Sequence, residues 1–131
     1  MNVLLDTQAV IWYVTDESLL TPKARTVING ADLAYVSAVS FYEIAIKLAI
    51  GKDAGIKRSL PDIIKLVLKS GFLWLPMAAN HIETYSSVPL LDNHKDPFDR
   101  MILATALADN LIIISSDHNF PLYSDLVTTI W

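Results

Sequence analysis

Asp96-Pro97-Phe98-Asp99-Arg100 sets two carboxylates and a guanidinium side by side, directly ahead of the helix-forming run Met101 to Ala108. Proline is favoured at the first helical position, and an aspartate just before it can cap the free amides of the first turn. Asp96 is therefore expected to be the cap. Asp99 is then a third-position acid, one turn above Ile102, Leu103 and Ala106. A carboxylate over an apolar stripe at a helix start is partly desolvated and held in place. That suits metal ligation, and it equally suits a plain helix cap. Three further acids bear on the choice. Asp6 directly follows Val3-Leu4-Leu5, Glu43 is expected on the first turn of a helix, and Asp117 follows an apolar run through Ser115-Ser116.

The elements that must position these acids alternate strand and helix along the chain. Asn2 to Leu5 reads as a buried strand, and Thr7 to Val14 as the helix after it. Thr21-Pro22 caps and opens a second helix to about Asn29-Gly30, ahead of a strand from Leu33 to Val36. Ser40-Phe41-Tyr42-Glu43 matches a capping box, predicting a helix from there to Ile50, closed by Gly51. Lys52 to Arg58 reads as a polar linker, Pro61 to Ser70 as a helix stopped by Gly71, and Phe72 to Leu75 as a strand. A helix from Ala79 to Ser86 precedes the polar loop Leu91 to Lys95. Pro97 to Asp109 is helical, with Asn110 suited to a left-handed C-terminal cap, and strands follow at Leu111 to Ile114 and Val127 to Ile130. Short, continuous apolar strands separated by helices predict an α/β fold in three layers. In it a parallel sheet of about five strands is covered by helices on both faces.

Composition agrees with one domain over residues 1–131, long enough to bury a real core. With 53% hydrophobic residues and a mean hydropathy of +0.39, the chain is not disordered. No apolar stretch approaches the roughly 18 residues that span a bilayer, and Asp6 interrupts the N-terminal apolar run that a secretory signal would need. The absence of cysteine excludes disulfides and thiolate zinc sites, and fits a cytoplasmic protein. A net charge of −4 argues against broad electrostatic binding of nucleic acid. A metal-dependent nuclease remains compatible, because bound cations offset several of those charges.

Open parallel sheets bind ligands in the crevice beyond the carboxyl ends of their strands. Asp6, Glu43, Asp99 and Asp117 all fall there or one helix turn away. Each has a plainer role: Asp6 as the cap of the helix from Thr7, Glu43 as a partner of Ser40 or Lys47, and Asp117 as the cap of its own turn. Capping does not require that all four converge on one edge of one sheet. Clustered carboxylates repel one another and raise their pKa values. A divalent cation removes that conflict, and oxygen-only ligands suit Mg²⁺ or Mn²⁺. The three histidines are too scattered for zinc, and His94 reads as a solvated loop residue.

The chain resembles the PIN domain family, and within it the VapC-type toxins of toxin–antitoxin pairs. The resemblance rests on Leu4-Leu5-Asp6-Thr7, on Val36-Ser37-Ala38 leading to Glu43-Ile44-Ala45-Ile46-Lys47, and on Gly71-Phe72 with Leu75-Pro76. It continues through His94-Lys95-Asp96-Pro97-Phe98-Asp99-Arg100 with Ala104 and Ala106, and closes on Ser116-Asp117. These blocks are ordered and spaced as in the family over nearly the whole chain. The resemblance implies metal-dependent ribonuclease activity and metal ligands at Asp6, Glu43, Asp99 and Asp117. It also implies a homodimer and inhibition by a cognate antitoxin.

On that reading water attacks the phosphodiester in line with the leaving oxygen. Asp6 and Asp99 are the central ligands and Glu43 and Asp117 the flanking ones. Thr7 and Ser116 stand beside them as orienting hydroxyls, while Arg100, Lys47 and Lys95 are available to phosphate. Two other phosphoryl enzymes fit less well. A haloacid-dehalogenase-type phosphatase needs a second aspartate where Gln8 stands, and a receiver domain needs a phosphoacceptor where Pro76 stands. The alternative from a different class is a catalytically idle PIN-like module that only binds a partner. Four intact acids at one sheet edge speak against it.

Overall fold

Val3, Leu4 and Leu5 are wholly buried, and that burial makes their strand the centre of the fold. The computed structural model describes residues 1–52 and 56–131. Strand β1 (Asn2–Leu5) pairs in parallel with β2 (Leu33–Ser37) on one side and β4 (Ile112–Ile114) on the other. Strands β3 (Leu73–Leu75) and β5 (Thr129–Ile130) close the edges, giving a five-stranded parallel sheet in the order β3-β2-β1-β4-β5. A strand flanked on both faces has no polar face, so its sequence is a continuous apolar run.

Alternation along the strands divides the core in two. Val3, Leu5 and Ile114 point to one face, where they meet Ala9, Val10 and Ile11 of α1 (Thr7–Thr15), Ala24 and Ile28 of α2 (Pro22–Gly30), Phe41 and Ile44 of α3 (Ala38–Ala49), and Ile63 and Val67 of α4 (Leu60–Lys69). Leu4 and Ile113 point to the other, against Ile102, Leu103 and Ala106 of α6 (Pro97–Asp109). The short helix α5 (Ala79–Tyr85) packs on α6, and buried His81 ties the two together through Asp109 at 2.7 Å. The three-layer α/β expectation therefore holds. Among the described residues, no helix is long and apolar enough to cross a membrane.

Local signals place most boundaries. Thr21 caps α2 by accepting from the Ala24 amide, and Asp96 caps α6 by accepting from the amides of Phe98 and Asp99 at 2.8 and 3.2 Å. Asn110 takes the left-handed conformation, φ 54°, that ends α6, and Gly71 follows α4 at φ +99°, where a side chain would be strained.

Three expectations are corrected. Helix α3 starts at Ala38 with Ser37 as its cap, so Ser40-Phe41-Tyr42-Glu43 is not a capping box and Glu43 lies on the second turn. The last residue of β2 caps the helix directly and leaves no loop between them. Ile56 is buried in the first core cluster, so the segment Lys52 to Arg58 is not wholly polar; residues 53–55 of it lie outside the described residues. Short 3₁₀ turns at Glu17–Leu19 and Phe120–Tyr123 were not expected, because runs that short carry no helical period.

Arg100 is the fourth correction. It is 3% exposed and does not offer its charge to phosphate. Its guanidinium lies over the Tyr85 ring, donates to the Tyr85 hydroxyl, and binds the carbonyls of Val88 and Pro89 at 2.9 and 2.6 Å. It thereby clamps the loop ahead of α6 to that helix. Arg100→Met keeps the stem but leaves those carbonyls without their donor. It should lower the unfolding free energy by about 2–4 kcal/mol, read from urea denaturation. A loss below about 0.5 kcal/mol, the range of an ordinary surface substitution, would show that the loop is held by other contacts.

Candidate active site

The strand order reverses at β1 and β4, and the crevice beyond their carboxyl ends is where an open α/β sheet has room for a ligand. A cavity of about 460 Å³ opens there, lined by Asp6, Glu43, Asp96, Asp99 and Asp117 together with Thr7, Lys47 and Ser116. The four acids singled out from the sequence thus meet in one place, and the capping aspartate Asp96 joins their rim.

Asp6 is both cap and pocket wall. One carboxylate oxygen accepts from the Ala9 amide at 2.8 Å, which caps α1, and the other accepts from the Ser115 hydroxyl. Burial pushes its carboxyl up to about 7 in spite of both hydrogen bonds, and the charges of Asp99 and Asp117 push the same way. Asp99 is pushed up to about 6, again chiefly by burial, with Asp96 and Asp117 adding and His94 opposing. Glu43 reaches the site from α3. Its Oε1 accepts from the Thr7 hydroxyl at 2.7 Å, and its Oε2 is 3.3 Å from Lys47 Nζ, one turn on. Thr7 Oγ1 is also hydrogen-bonded to Ser40 at 3.0 Å, which anchors the pair in the core. Asp117 accepts from the Asn119 amide at 2.8 Å within its own turn.

Two residues were read differently from the sequence. The hydroxyl that reaches an acid from the end of β4 belongs to Ser115, while Ser116 is exposed on the cavity wall. Leu5 pairs with Ile114 in the sheet, so Asp6 and Ser115 stand side by side one position further on. That register is not written in either segment alone. His94 is buried and not solvated; its ring joins Asp99 at 3.1 Å to the Tyr123 hydroxyl at 2.8 Å. Its sequence signal was weak, a lone histidine in a polar loop. Lys95 stays exposed and does not line the cavity, whereas Lys47 does.

The donor chemistry fits a hard divalent cation: carboxylate oxygens from four separate elements, partly desolvated and mutually repelling. The acids ring the cavity without yet closing on a point. Among the described residues, no three Asp, Glu or His side chains stand close enough to hold an ion between them. Ligation would therefore draw the acids inward. Each hydrogen-bonded carboxylate oxygen keeps a second lone pair for the purpose.

Both raised carboxyls lie above the unfolded-chain value of about 4. The folded, metal-free protein therefore holds more protons than the unfolded chain between about pH 4 and pH 7. The stability this contributes is complete below about pH 4 and is lost as pH climbs through the folded values of about 6 and about 7. By calorimetry in chelator, the melting temperature should fall by several degrees between about pH 5 and pH 8. Asp6→Asn, which has no ionised form, should flatten most of that fall. A melting temperature that climbs over this range would contradict the assignment.

Known proteins resemble this chain in sequence and in fold. A ribonuclease, VapC22 of Mycobacterium tuberculosis, is 27% identical over 125 residues, covering 88% of this chain and 87% of the relative. The fold matches VapBC2 from Rickettsia felis, solved bound to a DNA fragment from its promoter, with a TM-score of 0.68 at 13% identity, over 100% of this chain and 99% of the other. It also matches VapBC-5 from Mycobacterium tuberculosis, a member of the VapBC family of toxin–antitoxin systems, with a TM-score of 0.64 at 15% identity, over 98% and 95% of the two chains. The PIN domain model matches residues 3–126, a span that takes in all five cavity acids and, apart from Asn2, every strand but the last, and the chain belongs to the PIN domain family.

Proposed function

We propose that this chain is a metal-dependent endoribonuclease, the toxin of a toxin–antitoxin pair. The observation that carries the proposal is the convergence of Asp6, Glu43, Asp99 and Asp117 on one cavity at the β1/β4 crevice. Family membership and the ribonuclease relative agree with it. Mg²⁺ or Mn²⁺ is the cofactor that suits an all-oxygen site.

Bound there, the cation would supply the positive charge that steadies the attacking and leaving oxygens of the phosphodiester and makes water a better nucleophile. The protein's part is to hold and orient. Asp6, fixed by Ala9 and Ser115, and Asp99, fixed at the start of α6, would be the central ligands. Glu43, steadied by Thr7, and Asp117, steadied by its turn, would flank them. Lys47 is the one lysine or arginine among the described residues lining the cavity, and its ammonium is placed to meet a phosphate oxygen while it pairs with Glu43. With a net charge of −4 the protein has no broad field for RNA, so phosphate capture rests on the cation and on Lys47. No residue has to form a covalent intermediate.

The partner half of the proposal is a cognate antitoxin protein and a second copy of the chain, acting in the cytoplasm. An apolar groove of about 420 Å³, walled by Val39, Tyr42, Met77, Ile82, Phe98 and Met101, offers a surface for such contact. Of the aromatics on α1 and α3, Tyr42 is exposed. Phe41 is buried and stacks on Trp74, Tyr13 packs on Phe72, and Trp12 packs on Trp131.

The test is RNA cleavage by protein freed of any copurifying partner, with Mg²⁺ or Mn²⁺ and with chelator. Asp99→Asn keeps size and helix-start hydrogen bonding but removes the charge. It should cut at least about 100-fold more slowly, the share expected of a central metal ligand, while folding normally. Asp96→Ser retains the cap and should keep most of the activity. Wild-type cleavage by Asp99→Asn, or cleavage unaffected by chelator, would overturn the proposal.

A further inference from the structure

The loop ahead of α6 buries an imidazole that the proposed cleavage chemistry leaves without a task. His94 is 4% exposed, and both ring nitrogens are engaged, Nε2 with Asp99 Oδ2 at 3.1 Å and Nδ1 with the Tyr123 hydroxyl at 2.8 Å. The rings of Phe120 and Tyr123 meet it edge-on, with centroids 6.3 and 5.6 Å away. Its backbone amide donates to the Leu91 carbonyl at 3.1 Å, and the Arg100 clamp holds the preceding turn. The ring is fixed in place and in rotation. Space-filling alone would be met by leucine or phenylalanine, without the cost of desolvating two ring nitrogens.

An ionised carboxylate only accepts, so the hydrogen between His94 and Asp99 sits on Nε2. In the neutral ring Nδ1 then accepts from the Tyr123 hydroxyl. Among the described residues, this bond is the one side-chain tie on the Asp99 carboxylate, and it engages a single oxygen. Tyr123 belongs to the 3₁₀ turn that follows Asp117, so the relay Tyr123–His94–Asp99 links the segments carrying two of the cavity acids.

We infer that His94, seated by Tyr123, is a positioning residue that holds one Asp99 oxygen so that the other is presented to the cavity. The inference rests on the proposal above that Asp99 holds a metal. Partners of this kind orient a ligating carboxylate, and removing them commonly weakens metal binding by about 10–100-fold.

The experiment measures Mn²⁺ affinity by calorimetric titration, with melting in chelator as the control for folding. A glutamine amide nitrogen reaches about as far as Nε2, and an asparagine amide nitrogen only about as far as Nδ1. His94→Gln should therefore bind Mn²⁺ within about 3-fold of wild type and His94→Asn about 10–100-fold more weakly. Tyr123→Phe, which frees the ring to turn, should lose several-fold. Wild-type affinity in His94→Asn overturns the inference, as does His94→Gln binding no better than His94→Asn. Should His94→Asn not fold, Tyr123→Phe decides: a several-fold loss supports the relay, and unchanged affinity overturns it. Asp99→Asn separates the two levels. If it binds Mn²⁺ like wild type, the metal role of Asp99 falls and takes the inference with it. If it is weakened while His94→Asn is not, the positioning role alone falls.

Discussion

A carboxylate buried at the end of the central strand is the constraint on which the rest of this structure depends. Asp6 closes β1 in the middle of the sheet, with apolar strands on both sides and helices above and below. A charge there is costly unless something compensates it. Two hydrogen bonds, from the Ala9 amide and the Ser115 hydroxyl, do part of the work. They do not do all of it, since burial still holds the carboxyl at about 7 and the neighbouring acids raise it further. The fold thus maintains a group that is uncomfortable when ionised, next to others of the same sign. A fold that only needed a cap for α1 would be served by serine or asparagine. A site that must bind a cation gains from carboxylates that are desolvated and held apart.

The architecture supplies this arrangement through topology. Strands β2 and β3 are laid down on one side of β1, and β4 and β5 on the other. The crevice at the reversal receives Asp6 from one strand end and Asp117 from the next. Helix α3, capped by the last residue of β2, sends Glu43 across from its second turn, and α6 starts beside the same opening with Asp99. Acids far apart in sequence meet because each lies within a turn or two of the same sheet edge. The supporting residues repeat one device: a hydroxyl or imidazole, itself anchored in the core, holds one oxygen of an acid. Thr7 does so for Glu43, Ser115 for Asp6 and His94 for Asp99.

What was legible in the sequence follows from this. Asp96, Thr21 and Asn110 act on amides or carbonyls a few residues away, so the local sequence alone disclosed them. The convergence of the four acids was legible because each stands within a turn or two of an apolar strand or a helix start. Ser115, His94 and Arg100 were hidden for the opposite reason, since their partners are distant in sequence or depend on strand register. Nothing around Ser115 distinguishes it from Ser116 until Leu5 is paired with Ile114. Arg100 reads as a surface charge until the loop from Val88 folds back over it. Ser40 misled because a capping box is a local pattern, while the true helix start was fixed by where β2 ended.

The central claim is that Asp6 and Asp99 are held partly protonated by burial and would surrender those protons to a cation bound in the cavity. Calorimetric titration of Mn²⁺ into the protein in buffers of different ionisation enthalpy counts the protons released on binding. At about pH 6, where Asp6 and Asp99 are raised to about 7 and about 6, binding should release more than roughly one proton per chain, falling toward none above about pH 8. Tight binding with no proton release at either pH would show that the cation is held elsewhere. No binding at all would leave the five acids as caps and turn residues that happen to share a cavity.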